Sequence, residues 1–324
     1  MAAVSVYGWS ALRSLPRVDL SFFTLATPAG TDVDADADLD AGSDAGSDGD
    51  GQVVLHPTPL ACSSWGDDHL HGVAVAGALA RSAEAVVTSL GRDDLTPARM
   101  TVDLFRPAAM APCHLTHDVV REGPRICLVD VNLHQDGARV ARASFLFLKA
   151  SATAPGAVWS PDPAGRPVPP PEEVAPVSDE PRVPFVHSEA GWSQDFSEHQ
   201  NASHKQSWNS AVPIVAGEPL TPFQAVAATA DGASLVTNWG SGGVEHINTD
   251  ITLALVRAPY GVEVGLSALD RVESDGIAVG TATVFDRAGA LGTVVLTSIS
   301  NAARAVDLAK AGFDDDGTRR SSRE

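Results

Sequence analysis

Cysteine and lysine are both scarce in this chain of 324 residues, and each scarcity removes a class of explanation. The three cysteines, Cys62, Cys113 and Cys127, show neither CxxC spacing nor an even framework, so they read as buried thiols in a reducing compartment. Disulfide staples, zinc ribbons and a cysteine nucleophile drop out together. Three lysines stand beside nineteen arginines and 41 acids, for a formal net charge of −19. No large basic field exists, which argues against nucleic acid as a partner. No run approaches the roughly 20 apolar residues of a membrane span, and the start from Met1 to Trp9 lacks the basic and long apolar parts of a secretion signal. The expectation is a soluble cytoplasmic protein, and its composition suggests a GC-rich bacterial source. The length supports a core that needs no metal or disulfide to hold it.

Much of the negative charge is local. Eight aspartates fall between Thr31 and Gly51, and three more at Asp314–Asp316, which leaves 8 of the 19 charges elsewhere. The first stretch is low in large apolar groups and cannot offset its ordering entropy, so residues 31–51 are expected to be a disordered insertion. A calcium loop would need ligands at fixed positions and a closing Glu, which are absent. The insertion interrupts an expected hairpin between Ser21–Leu25 and Gln52–Leu55. Prolines at 167, 169, 170, 171 and 176 mark an extended connection. The expected organisation is an N-terminal module over 1–153, a Pro-rich linker over 154–204, a C-terminal module over 205–304 and a mobile tail over 305–324.

The two modules are copies. Residues 72–149 and 224–301 repeat one order of features: an apolar helix, a strand running to Pro107 or Pro259, a turn at Gly137 or Gly289, and a last apolar strand. The prolines and the glycines both lie 152 residues apart. Duplication of this kind sets the architecture before any motif is weighed. The copies differ where function is to be sought. The first holds nine Lys/Arg and the second three, so any phosphate contact is expected mainly from the first half. Core-like Leu79 of the first copy becomes Asp231 in the second.

Thr221-Pro222 reads as an N-cap with proline at the first helical position, opening a helix from Phe223 to Val236. Asp231 falls in its third turn, among apolar residues, where a carboxylate is costly unless it is hydrogen-bonded or its pKa rises. The next strand alternates Ile247, Thr249, Ile251, Leu253 and Leu255 against Asn248, Asp250 and Thr252, which puts Thr249 on the apolar face toward the helix. In the last strand Val295, Thr297 and Ile299 occupy the positions of Ala143, Phe145 and Phe147. Polar groups again replace core groups in the second copy only.

A long apolar helix followed by antiparallel strands, twice over, is the α+β pattern of a sheet curled around a central helix. With His71-Gly72-Val-Ala-Val-Ala-Gly-Ala-Leu79, Asp103-Leu-Phe-Arg-Pro107 and Ile247-Asn-Thr-Asp-Ile-Thr-Leu-Ala-Leu-Val-Arg-Ala-Pro259, the chain resembles the double-hotdog acyl-CoA thioesterases of the thioesterase II kind over residues 20–150 and 205–302. The resemblance implies a double hotdog: two antiparallel sheets, each around a long central helix, side by side. It implies hydrolysis of a fatty acyl-CoA, no cofactor and no metal, and possible assembly of such pseudo-dimeric protomers into a homo-oligomer.

In that family an Asp, a Thr and a Gln hold the attacking water. By resemblance Asp231 and Thr249 fall on the first two, and the Gln position falls on Thr297, a shorter hydroxyl with one donor. An extra water, Ser298 or a neighbour could fill the gap, or activity could be reduced. The oxyanion donor is expected to be a backbone N–H near Gly72, at the start of the first helix. Two rivals stand beside this reading. A hotdog hydratase would need a Gly-Asp-x-Asn-Pro-x-His run, but Gly66-Asp-Asp-His-Leu-His71 lacks the Asn-Pro and puts its histidine one residue early. A catalytically weak or inactive acyl-CoA-binding protein is the other, and the missing Gln is its support. His69 and His71 read as capping groups rather than metal ligands.

Overall fold

The computed structural model describes residues 20–25, 53–66 and 68–310. The acidic insertion at 31–51 and the tail from 311 onward lie outside the described residues. The first module contains β1 (Phe23–Leu25), β2 (Val54–Pro57), α1 (Gly72–Ser89), β3 (Leu95–Asp103), β4 (Cys113–Gly123), β5 (Ile126–Gln135) and β6 (Ala138–Lys149). β1 and β2 pair antiparallel, Leu25 opposite Leu55, as the interrupted hairpin requires. The second contains β7 (Arg182–Ser188), β8 (Gly191–Ser193), β9 (Gln206–Ser210), α2 (Pro222–Thr229), α3 (Ala233–Asn238), β10 (Trp239–Gly240), β11 (Gly243–Val244), β12 (His246–Asn248), β13 (Asp250–Leu255), β14 (Glu263–Ser274), β15 (Ile277–Asp286) and β16 (Gly289–Ser300).

The helices follow from their composition. α1 is Ala, Val and Gly on nearly every side, and an all-round apolar helix must be buried; Val73–Val75, Ala78–Ala80, Ala83, Val86 and Val87 are all buried. It runs antiparallel to α2, and Gly77 lets the two come close, since a Cβ there would lie 3.4 Å from the Ala228 Cβ and clash with Ile214. The N-cap of α2 is as expected, with Thr221 Oγ1 accepting from the Gln224 N–H at 3.1 Å. The expected single helix from Phe223 to Val236 is instead α2 and α3 joined by a 3-10 turn over Ala230–Gly232. Tightened turns inside helices often mark functional positions, and Asp231 is at the middle of this one.

The sheets of the two modules join side by side: β3 pairs antiparallel with β13, Thr101 opposite Thr252, and one sheet runs β2-β4-β5-β6-β3-β13-β16-β15-β14-β9 across both copies. Pairing at the seam satisfies the backbone groups of what would otherwise be two exposed edges. The linker also ends earlier than residue 204. β7 pairs with β9, which pairs with β14, so from Arg182 the chain extends the second module's sheet.

One expectation about the faces needs correcting. Burial matches the last strands of the two copies at a spacing of 151 residues, one fewer than the helix and turn spacing. Ala143, Phe145 and Phe147 are buried in β6, whereas Val294, Leu296 and Ser298 are buried in β16. Thr297 therefore faces away from the helices and Ser298 faces them. A β-bulge does the same to the preceding strand. β12 pairs Asn248 with Ser298, β13 pairs Thr252 with Val295, and the mismatch leaves one extra residue at Thr249. A one-residue slip exchanges the two faces of a strand, so Asn248 points toward the helices and Thr249 is exposed. β3 shifts register at the equivalent place, between Pro97 and Arg99.

Candidate active site

Three positions in the second copy now carry polar groups where the first copy is apolar: Asp231 for Leu79, Asn248 for Pro97 and Ser298 for Phe147. The bulge brings two of them together. Asn248 Nδ2 donates to Asp231 Oδ1 at 3.0 Å. The Val73 N–H in the first turn of α1 also donates to the Asp231 carboxylate. Burial pushes the Asp231 carboxyl up to about 6, against the lowering pull of these two hydrogen bonds. The carboxylate is deep in the protein yet half-buried rather than sealed, because it opens onto a cavity of about 350 Å³.

That cavity lies between the N-terminal end of α1 and the strand ends at the seam. Val75, Leu235, Val244 and Ile247 give it an aliphatic wall, and Gly72, Asn248 and Thr249 line it together with Asp231. Gly72 touches the carboxylate so closely that a Cβ there would lie 2.5 Å from Asp231 Cγ and 2.8 Å from Oδ2. The first-turn N–H of Gly72 has no intrahelical carbonyl to bond. It is thus a donor at the positive end of α1, on the cavity wall.

Thr249 and Thr297 are brought together with each other, not with Asp231. Thr249 Oγ1 donates to the Thr297 carbonyl at 3.2 Å, its N–H donates to the same oxygen at 2.9 Å, and Asp250 Oδ1 accepts the Thr297 N–H at 3.0 Å. These bonds fix the bulge. Behind it, Ser298 Oγ accepts from Asn238 Nδ2 at 3.0 Å, and Asn238 Oδ1 accepts from Arg271 Nε at 3.1 Å. Alternation alone could not find Asn248, since it puts that residue on the outer face, and at the 152-residue spacing it falls on Thr96, which is polar as well.

His71 is a structural cap. Its Nδ1 accepts the Ala74 N–H at 2.9 Å and its Nε2 donates to the Leu60 carbonyl at 2.9 Å, so burial, which lowers its pKa to about 4, keeps it neutral. It is buried rather than solvated. His69 pairs with Asp68 at 2.6 Å. Among the described residues no group of three or more His, Cys, Asp or Glu is arranged to hold a metal, and no helix is long and apolar enough to cross a membrane. Cys113 and Cys127 are buried, with the Cys113 thiol pushed up to about 12 by burial, while Cys62 is half-buried.

The equivalent place lies at the other end of the helix pair. There Glu84 of α1 accepts from Thr221 Oγ1 at 2.6 Å and Gln224 Nε2 at 2.9 Å, and Arg81 pairs with Glu218. Glu84 is thus tied to the first turn of α2.

Solved structures share this fold. The tesB protein of Mycobacterium avium subsp. paratuberculosis superposes with a TM-score of 0.53 at 16% identity, covering 77% of this chain and 92% of that one. A thioesterase II from Thermobifida fusca gives 0.56 at 17%, covering 78% and 94%. A hot dog fold protein of unknown function from Alicyclobacillus acidocaldarius gives 0.53 at 20%, covering 78% and 94%. No curated protein matches the sequence. The profile of the acyl-CoA thioesterase N-terminal domain matches residues 62–148, and that of the C-terminal domain matches residues 153–298. With one match on each copy, in order and together spanning most of the chain, the protein belongs to the acyl-CoA thioesterase family of thioester hydrolases.

Proposed function

We propose that the protein hydrolyses fatty acyl-CoA thioesters to free acid and CoA, with Asp231 activating the attacking water. The observation that carries this is a carboxylate raised to about 6 that faces an apolar cavity instead of a cationic partner. A base with a pKa near the working pH is the kind that proton transfer favours. The acyl chain lies against Val75, Leu235 and Ile247, and the thioester carbonyl points at the Gly72 N–H. Asp231 takes a proton from a water held beside it, the resulting hydroxide attacks the carbonyl carbon, and the oxyanion forms against the helix N-terminus. Collapse of the tetrahedral intermediate breaks the C–S bond, and the proton on Asp231 returns to the departing thiolate.

Asn248 replaces the expected hydroxyl as the group that orients Asp231. Thr249 and Thr297 act one step back, by holding the bulge that turns Asn248 inward. The test is Asp231→Asn assayed by free-thiol release from a panel of acyl-CoAs. Turnover is expected to fall at least about 100-fold, the scale of a lost general base. Unchanged hydrolysis in that variant removes Asp231 from the mechanism, and wild-type protein that binds acyl-CoA without releasing thiol would make it a binding protein.

A further inference from the structure

The cavity mouth carries two guanidinium groups that the hydrolytic steps do not use. Arg106 follows β3 of the first module, and Arg304 follows β16 of the second. Both side chains are exposed, and neither forms an ion pair among the described residues. Among the described residues the cavity lining holds one carboxylate, Asp231 itself, and no lysine. A shallow groove shares Leu104, Phe105 and Thr249 with the mouth and adds Arg139, whose guanidinium lies 5.7 Å from the centre of the exposed Phe105 ring. In a protein with a net charge of −19, two exposed arginines from different copies on one cavity lining form a local positive patch to which an anion is attracted.

Resting on the hydrolase reading, we propose that Arg106 and Arg304 bind the phosphates of the CoA moiety and so select CoA esters over thioesters that lack them. The thioester enters acyl end first, the pantetheine arm fills the mouth, and the diphosphate meets one arginine from each copy. Arginine suits this role because its planar fork holds two phosphate oxygens at once. Phe105, backed by Arg139, offers a ring face on which the adenine can stack. Recognition is thereby assigned to the seam between the copies, and neither module carries it alone.

Four proteins are compared: wild type, Arg106→Ala, Arg304→Ala and the double variant. Each is assayed with one acyl group on CoA, on dephospho-CoA and on pantetheine. Calorimetric binding of the matching acyl-CoA thioether, which cannot be hydrolysed, is measured in parallel. Each single variant is expected to raise KM and the thioether Kd about tenfold, the scale of one charge-assisted contact. kcat and the pantetheine ester should be unaffected. An effect that disappears with dephospho-CoA assigns the contact to the 3′-phosphate, and one that persists assigns it to the diphosphate. Unchanged KM and Kd for CoA in the double variant overturn the proposal, and so does an equal rise with the pantetheine ester, because the arginines then only shape the mouth. Thiol release from no substrate, with thioether binding still dependent on both arginines, refutes the hydrolase and leaves this site standing.

Discussion

Gly72 and Asp231, from opposite copies, meet so tightly that a methyl group on Gly72 would displace the carboxylate. The first turn of α1 needs a residue with no Cβ so that its backbone can approach the acid. Gly72→Ala should therefore keep the fold, since alanine favours a helix, yet turn Asp231 away from Asn248 and the cavity. The expected outcome is a fall in kcat of about 100-fold, as when an oxyanion donor or a base is misplaced, with an unchanged circular dichroism spectrum. Wild-type kcat in Gly72→Ala would show that this approach has no part in turnover.

Asp231 also makes pH dependence readable in two directions. Its pKa is raised from 3.8 to about 6, chiefly by burial, so the folded state holds a proton that the unfolded state has released between those values. Stability therefore falls as pH rises from about 4 to 6 and stays lower above it. The ionised acid costs on the order of 2–3 kcal/mol at neutral pH. Asp231→Asn should melt higher than wild type at pH 8 and indistinguishably at pH 4. Activity runs the other way, with kcat/KM rising through about pH 6 as the base ionises. A melting difference independent of pH would contradict the buried-acid account.

Asn248 and Thr297 separate the structural reading from the alternation rule. Asn248→Ala removes one of the two hydrogen bonds that hold the Asp231 pKa down, so the acid limb of the kcat/KM profile should move to higher pH while kcat falls about tenfold, a typical charge-assisted contact. Thr297→Val keeps its backbone bonds to Thr249 and Asp250 and should change kcat by less than about twofold. Ser298→Ala leaves Asn238 without its acceptor and should lie between them. If Thr297→Val proved the more damaging, the inward face of the last strand would be misassigned.

The sequence revealed the fold more readily than the site, for a physical reason. The repeat, the capped second helix and the acid in it were legible because periodicity and burial act over many residues. A one-residue bulge at Thr249 exchanges the face of the residues before it, and a spacing of 151 instead of 152 does the same in the last strand; neither leaves a trace in composition, so Thr249 and Thr297 were expected on the inner face that Asn248 and Ser298 occupy. Burial of Val294, Leu296 and Ser298 in place of their neighbours records the shift. The seam pairing Thr101 with Thr252 was equally hidden, because nothing local tells a strand that its partner lies in the other copy. The residues after Arg182 looked like linker because prolines precede them, but their alternating burial marks a strand.

That returning segment is held by a buried charge cluster whose loss should be structural alone. Glu263, at the start of β14, accepts from Arg182 of β7 at 2.6 Å, from Arg287 at 2.7 Å and from Trp208 Nε1 at 3.2 Å. Its side chain is 9% exposed, so the carboxylate neutralises two guanidiniums in a setting where unpaired charge is expensive. Glu263→Gln strands both and should cost about 3–5 kcal/mol, lowering Tm by roughly 10 °C. None of these residues lines the cavity, so kcat at a temperature below the transition should hold. Hydrogen exchange should show β7 and β9 losing protection before β13 and β16. Equal loss across the whole sheet would mean that the two copies unfold as one unit and that the cluster supports the seam instead of the edge.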